Sequence, residues 1–193
     1  MFLARRPSAQ EIDNFLDDSR TLPLSYRSIG MVKEPYDRAC DEEVVVIGHG
    51  QQDFERARAA LMKWQQFETG WVETFPPQAR VEVGTVVAVL IRHLGFWSLN
   101  GARVLYHVGT ADGDARFGFA YGTLTNHAES GEELFEVFVD PRSGDVKYRI
   151  RAVSWPQTML ARIGQPIVRA LQARFRRDSA AAMTRATRAA ARG

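Results

Sequence analysis

Hydrophobic residues between Val81 and Ser154 alternate with polar or small residues, whereas those in the flanking segments recur every three or four positions. A period of two predicts β-strands, and a period near 3.6 predicts amphipathic helices. Strands are expected at 81–92, 101–108, 117–124, 134–139 and 146–154, preceded by shorter strands within 26–32 and at 44–47. The chain therefore combines a run of consecutive strands with helices before and after it.

Three helices are predicted from apolar stripes at helical spacing. The first begins at the capping-box sequence of residues 8–11, in which a serine and a glutamate three positions later satisfy each other's backbone amides. The second follows the turn at residues 48–50, and the third begins near Gln157. Pro166 lies within the third helix, where we expect a kink because proline has no amide hydrogen to donate.

The strand at 146–154 has the clearest pattern in the chain. One of its faces carries Val146, Tyr148, Ile150, Ala152 and Ser154, and the other carries Lys147, Arg149 and Arg151. We expect the first face to be buried and the second to be solvated. In the strand at 117–124 the small residues Gly118, Ala120 and Gly122 share a face, which would allow a helix or a ligand to approach closely.

Consecutive antiparallel strands followed by one long amphipathic helix bury both apolar surfaces when the sheet curves around the helix. The predicted fold class is therefore α+β, with a curved antiparallel β-sheet wrapped around a long C-terminal α-helix. This element order resembles the helix-grip architecture of START-like and Bet v 1-like proteins, which implies a cavity between sheet and helix. We expect a cavity of roughly several hundred Å³, the size typical of ligand sites.

The length of 193 residues and the hydrophobic content of 45% favour one domain, at 1–178, followed by an Ala/Arg-rich tail at 179–193 that is a fraying helical extension or disordered. The single cysteine, Cys40, has no partner for an intramolecular disulfide or a zinc site. The apolar start of the chain is too short for a secretory signal, and no later run reaches membrane-spanning length. These features predict a cytoplasmic protein without a transmembrane segment.

The net charge is only +2, but its distribution is uneven. Eleven of the 25 Lys and Arg residues and a single acid, Asp178, lie from Val146 onward, so this part carries +10 and the rest carries −8. A solvated basic surface explains the imbalance, and contact with nucleic acid or an anionic membrane is the alternative. No nucleic-acid-binding motif accompanies the basic residues.

The candidate site residues lie on the third, fourth and fifth strands of the central run and on the last helix. Alternation places Glu133 on one face with Phe135 and Val137, so its carboxylate is expected to face the cavity. A desolvated carboxylate needs a partner or becomes protonated. Glu133 and His127 are the candidates for acid/base catalysis. The predicted ligand-binding residues are Tyr121, Thr123, Glu133, Tyr148, Ser154 and Arg169.

Other groups of residues that could form a functional site also have a purely structural explanation. The acidic segment 127–133, which contains one histidine, matches no metal-binding spacing and is also explained as a polar connection between strands. The glycines at 48 and 50 permit an anion site at a helix N-terminus, but a tight turn explains them equally. Ser154 and Cys40 lack the neighbours of a catalytic nucleophile. No metal and no cofactor are predicted.

Several segments resemble the DUF1990 family, also called UPF0548. They are the stretch 117–124, His127, Glu129, residues 131–133, Phe135, the turn at 48–50, Phe54, Trp64, Gly84, residues 154–156, Pro166, Arg169 and Gln172. The resemblance extends from about Tyr26 to Phe175 and departs at 36–43 and in the C-terminal tail. The family is uncharacterised, so the resemblance carries over no catalytic residue and no cofactor.

Three functions remain open from the sequence. The first is binding of a small apolar or amphipathic molecule in the predicted cavity. The second is an enzyme, such as a cyclase, dehydratase or isomerase, that uses Glu133 or His127 as acid or base. The third is an interaction protein that docks through the basic face of Lys147, Arg149 and Arg151 and the basic tail. The sequence does not determine the oligomeric state.

Overall fold

A computed structural model describes residues 2–33, 40–109, 115–156 and 165–189. Three α-helices are present in these ranges: α1 (Ala9–Thr21), α2 (Gly50–Met62) and α3 (Gln165–Ala189). The strands are β1 (Phe2–Leu3), β2 (Asp41–His49), β3 (Val72–Phe75), β4 (Val86–His93), β5 (Phe96–Val108), β6 (Arg116–Thr123), β7 (Glu129–Val139) and β8 (Asp145–Pro156). A short 3-10 helix, Gln65–Phe67, follows α2.

The eight strands form one antiparallel sheet in the order β2-β8-β7-β6-β5-β4-β3, with β1 paired to the first residues of β5. Register shifts between Val46 and Gly48 in β2 and between Val104 and Tyr106 in β5 mark β-bulges, which bend a sheet locally. The sheet has a concave face that holds the main core and a convex face that carries smaller apolar clusters.

The concave face packs against α2 and α3. Their residues Phe54, Leu61 and Met183 belong to the same core as Phe135 and Tyr148 of the sheet. Because that core joins a curved antiparallel sheet to a long C-terminal helix, the predicted α+β helix-grip architecture is confirmed.

The first helix follows the prediction closely. Ser8 caps it, and Glu11 completes the capping box by accepting a bond from the Ser8 amide at 2.8 Å. Its buried residues Ile12 and Leu16 pack on Leu90, on the side of the sheet away from the main core. The helix thus covers one end of the convex face.

The segment before β2 covers another part of the convex face. The predicted strand within 26–32 is wrong, since this segment forms turns. Val32 is fully buried against Ala120 and Leu134, and the hydroxyl of Tyr26 lies close to Gly122. The small residues of β6 therefore admit this N-terminal segment, rather than the gripped helix or a ligand as predicted.

The basic face of β8 is not solvated, which corrects the prediction. The side chain of Arg151 is only 5% exposed and pairs with Glu42 at 2.7 Å. Arg149 pairs with Glu42 and Glu136, and the ammonium of Lys147 lies 2.5 Å from a carboxylate of the β7–β8 turn. Acidic residues of neighbouring strands and the turn neutralise this face, so it offers no free cations for the docking function considered above.

Several element boundaries differ from the prediction. β4 begins at Val86 rather than at residue 81, and β5 and β7 begin earlier than predicted. β1 and β3 were not predicted at all. Pro166 is the second residue of α3 in the described part of the chain, so the predicted kink is not tested. The predicted helical residues 157–164 lie outside the described ranges.

The helix α3 continues through the predicted domain boundary at residue 178. Ala180, Met183 and Thr187 are buried, and Met183 is fully enclosed in the main core. Residues 179–189 are therefore helical, as one of the two alternatives expected, but they pack in the core and do not fray. Small residues on this stretch form a narrow stripe that permits close packing of α3 on α2. The sequence pattern did not indicate this packing because alanine gives little hydrophobic contrast.

Candidate functional site

A cavity of about 190 Å³ lies between the sheet and the N-terminal half of α3. It is smaller than the several hundred Å³ expected from the fold class. Side chains and backbone from β4 to β8, β3, the 3-10 helix and α3 form its boundary. The cavity therefore occupies the position predicted for a ligand site, with a volume suited to a small molecule.

Most of the cavity wall is apolar. On the helix side it is formed by Val168, Leu171 and Phe175. The opposite walls consist of Phe67 and Trp71, which follow α2, and of Val72, Val89 and Ile91 from the edge of the sheet. Phe67 contacts Phe175 with a ring-centroid distance of 5.3 Å. An apolar body would be desolvated on several sides here.

Glu133 is the central polar group of the cavity. Its Oε2 accepts a hydrogen bond of 2.7 Å from the hydroxyl of Tyr121 on the adjacent strand β6, with which it is directly paired. Oε1 has no hydrogen-bond donor among the described residues. Burial raises the pKa of Glu133 from its ordinary value of 4.5 to about 7, although the Tyr121 bond and the charge of Arg176 oppose this shift.

A second carboxylate, Glu129, lies near the start of β7. Gln172 of α3 donates hydrogen bonds to Glu129 Oε2 at 2.8 Å and to the Ser154 hydroxyl oxygen at 3.0 Å, and all three residues line the cavity. Burial raises the pKa of Glu129, and the bond from Gln172 opposes the rise. This polar group joins α3 to the sheet at one side of the cavity.

His127 also lines the cavity, but its imidazole is not paired with Glu133. Its Nδ1 accepts a 2.9 Å hydrogen bond from the backbone amide of Glu129, which assigns the proton of the neutral ring to Nε2. Burial lowers the pKa of His127 to about 4. The ring is therefore neutral at physiological pH and offers a donor rather than a base.

Arg176 is the basic residue of the cavity lining. Its guanidinium pairs with Asp41 at 3.4 Å and with Glu43 at 4.0 Å, both on the edge strand β2. It lies close enough to Glu133 to lower the pKa of that carboxyl, but forms no ion pair with it within 4 Å. The positive charge is thus compensated by two acids outside the cavity.

The predicted site residues are brought together only in part. Tyr121, Thr123, Glu133, Ser154 and His127 line the cavity. The hydroxyl of Thr123 is occupied by bonds to Ser25 and Gly131. Tyr148 is not among the lining residues and bonds to Ser179 at 2.9 Å. Arg169 is exposed on α3 and is not among the lining residues. A role of any of these residues in ligand binding stays a prediction.

Sequence reasoning missed Glu129, Gln172 and Arg176 as site residues. Gln172 and Arg176 are four positions apart on α3, so they lie on one side of that helix, next to the apolar stripe that contains Leu171 and Phe175. Polar residues bordering the apolar stripe of a gripped helix were the available signal.

The glycines at 48 and 50 lie in the turn that leads from β2 into α2. The turn at 48–50 is a tight connection: Gly50 has a positive φ of 77°, and a Cβ at Gly48 would collide with Asp53. Within the described ranges no group of three His, Cys, Asp or Glu side chains is arranged to hold a metal ion. Likewise, no helix in these ranges has the length and apolar character needed to cross a membrane.

Comparison with known proteins identifies the family. Residues 25–182 match the family described as "Domain of unknown function (DUF1990)". A UPF0548 protein of Deinococcus radiodurans is 35% identical, covering 96% of this chain and 98% of its own, and one of Dictyostelium discoideum is 33% identical, covering 96% and 95%. A hypothetical protein of Helicobacter pylori has a similar fold, with a TM-score of 0.55, 10% identity and coverage of 85% and 96%. The chain belongs to the DUF1990 (UPF0548) family.

Proposed function

We propose that this protein binds a small amphipathic molecule in the cavity between the sheet and α3. The observation that carries the proposal is Glu133 Oε1, a carboxylate oxygen without a described partner that faces an otherwise largely apolar cavity. A carboxylate oxygen that lacks a donor in a largely apolar cavity is poorly solvated, and a ligand that bonds to it stabilises it. The expected ligand therefore has one polar end and an apolar body.

The walls support a defined orientation of such a ligand. Its polar end would lie at Glu133 and Tyr121, and its apolar body would contact Phe67, Leu171 and Phe175. Sites of this kind combine apolar walls with a few polar groups that fix the orientation.

A cytoplasmic location is part of the proposal and rests on the single cysteine and the sequence-based expectation above.

The direct test is native mass spectrometry of freshly purified protein, which is expected to detect a small molecule that co-purifies. Leu171→Trp fills the cavity and is expected to abolish the bound species. Arg169→Trp, on the same helix but outside the lining, is the matched control and is expected to retain it. Retention by both variants would place the ligand elsewhere and contradict the proposal. Circular dichroism establishes that each variant is folded.

An acid/base enzyme is the second candidate, favoured by one specific observation. Glu133 and Tyr121 are two titratable side chains within hydrogen-bonding distance inside the cavity, and the pKa of Glu133 near 7 suits proton transfer at neutral pH. His127 does not take part in this pair. Glu133 would remove or supply the proton while Tyr121 donates a hydrogen bond to its other oxygen.

The test of this candidate uses the molecule that co-purifies. Incubation with the protein in D2O is expected to exchange a carbon-bound hydrogen of that molecule or convert it, with a rate that changes around pH 7. Glu133→Gln is expected to remove the exchange in whatever fraction of the molecule still binds, because an amide neither accepts nor supplies the proton. Binding without exchange or conversion would leave the protein as a binding protein only.

A further inference from the structure

The acidic side chains around the cavity outnumber the basic ones. Glu129 and Glu133 line it, and Arg176 is the cation placed against them. Arg176 already faces Asp41 and Glu43 on its other side. The five groups together carry three negative charges in excess when all are ionised. When Glu129 and Glu133 are ionised, the electrostatic potential inside the cavity is therefore negative.

The excess of negative charge around the cavity favours one class of ligand over the others. An anionic ligand would add a further negative charge beside Glu129 and Glu133 in a desolvated site, which is strongly unfavourable. A neutral ligand would leave the charge unbalanced. A cation would balance it, and a charged donor forms a stronger hydrogen bond to a carboxylate than a neutral one does.

The aromatic side chains favour the same class. Phe67, Phe175 and Tyr121 surround the region next to Glu133, with Phe67 and Tyr121 stacked at a centroid distance of 6.3 Å. Ring faces attract ammonium groups, and the attraction increases when water is excluded. Trp71 contributes less, since Arg174 already lies over its ring at 4.6 Å.

From the charges and the aromatic walls together we infer that the ligand carries a protonated amine, which binds Glu133 Oε1 and lies between Glu133 and Glu129. This inference rests on the proposed function and specifies its ligand class. The apolar body of the amine is directed toward Phe67 and Leu171.

Binding of an amine should depend on pH. Groups from each packed element face Glu133: Tyr121 on β6, Tyr148 on β8, Glu129 on β7 and Arg176 on α3. Of these, the two tyrosines stay protonated because burial raises their pKa. Ionisation of Glu133 is then expected to strengthen amine binding between pH 6 and pH 8, roughly the range around its raised pKa.

The experiment compares three probes of one shape and different charge: 2-phenylethylamine, 2-phenylethanol and phenylacetate. Their affinities for the full-length protein are measured by isothermal titration calorimetry at pH 8. We expect the amine to bind at least about tenfold more tightly than the alcohol and phenylacetate to bind most weakly. In Glu133→Gln and Glu129→Gln the preference for the amine is expected to fall several-fold, while the exposed control Glu55→Gln preserves it.

The outcomes distinguish a failure of the inferred ligand charge from a failure of the proposed small-molecule binding. If the alcohol or phenylacetate binds as tightly as the amine, the cavity binds small molecules but the inferred charge is wrong. If none of the probes binds and no molecule co-purifies, the proposed function fails and the inference fails with it. An amine preference that is unchanged in both cavity variants would place the amine site elsewhere on the protein and also overturn the inference.

Discussion

Glu132 and Glu133 are consecutive residues of β7, yet their carboxylates lie on opposite faces of the sheet. They also differ in the number of hydrogen bonds that they accept. Glu132 is 2% exposed and accepts bonds from the hydroxyls of Tyr26 and Tyr106 and from the amide of Gly30. Glu133 accepts one bond, from Tyr121. The first carboxylate holds the N-terminal segment on the convex face, whereas the second has capacity left for a ligand.

The two glutamates should therefore respond differently to the same substitution. Glu132→Gln replaces the acceptor of three donors by a neutral amide, and we expect the free energy of unfolding to fall by about 2–3 kcal/mol. Glu133→Gln removes a desolvated charge and is expected not to lower the stability at pH 8. Urea denaturation of both variants at pH 8 measures the difference. Equal losses in the two variants would show that the carboxylates have the same structural role.

The raised pKa of Glu133 makes stability depend on pH. In the unfolded chain this carboxyl ionises near pH 4.5, whereas in the folded chain it stays protonated up to about pH 7. The folded state binds more protons in this window, so this contribution to the free energy of unfolding is lost as the pH rises from 4.5 to 7. We expect the stability of Glu133→Gln relative to the natural protein to increase by up to about 3 kcal/mol across the window.

His127 should produce the opposite dependence. The unfolded imidazole takes up a proton near pH 6.5, but the buried ring does so only near pH 4. Stability from this residue is therefore lost as the pH falls through this range. His127→Asn, whose amide oxygen can still accept the bond from the backbone of Glu129, is expected to be less sensitive to acid than the natural protein. Urea denaturation from pH 4 to pH 8 measures how the free energy of unfolding of the natural protein and of His127→Asn changes with pH. The same series on Glu133→Gln tests the opposite dependence predicted for Glu133.

The face of the sheet on which the Glu133 side chain lies was predictable from the sequence, because successive side chains of a strand alternate between its two faces. Once Phe135 and Val137 were assigned to the buried face, Glu133 had to share it. The helix-grip arrangement was also predictable, because consecutive antiparallel strands and a long amphipathic helix have few ways to bury their apolar faces. Local periodicity and the number of elements were sufficient for both.

The residues that pack over the convex face of the sheet could not be predicted from periodicity. Arg151 stands on a face that alternation assigns to solvent, but Glu42 and the backbone of Val32 enclose it. Those partners are more than 100 residues away in the chain and lie partly in a segment without periodic structure. Arg176 and Glu129 were missed although a signal was available, since Arg176 borders the apolar stripe of α3 and Glu129 shares the alternating face of Glu133.

The C-terminal part of α3 is expected to be essential for stability. Met183 is fully buried between the helices and the sheet, so Met183→Ala leaves a cavity in the main core. We expect the free energy of unfolding to fall by about 2–4 kcal/mol. Met62→Ala is the matched control, because Met62 is 47% exposed at the end of α2, and it should lose much less. A small loss at Met183 would show that this part of α3 contributes little to the stability of the core.

Gln66 offers a substitution that is expected to stabilise the protein. Its side chain is fully buried in the 3-10 helix after α2, and neither Nε2 nor Oε1 has a hydrogen-bond partner among the described residues. Burying an amide without partners costs free energy that a thioether of similar length does not incur. We expect Gln66→Met to raise the free energy of unfolding by about 1–2 kcal/mol, measured by urea denaturation.

The control for this substitution is Gln52→Met, on the exposed side of α2, which is expected to change stability by less than about 0.5 kcal/mol. A gain at Gln66 without a gain at Gln52 assigns the effect to the buried amide rather than to the hydrophobicity of methionine. A loss at Gln66 would mean instead that its amide is satisfied in solution, for example by an enclosed water molecule. Because Gln66 directly precedes Phe67 of the cavity wall, an unchanged ligand affinity in Gln66→Met would further show that its effect is confined to stability.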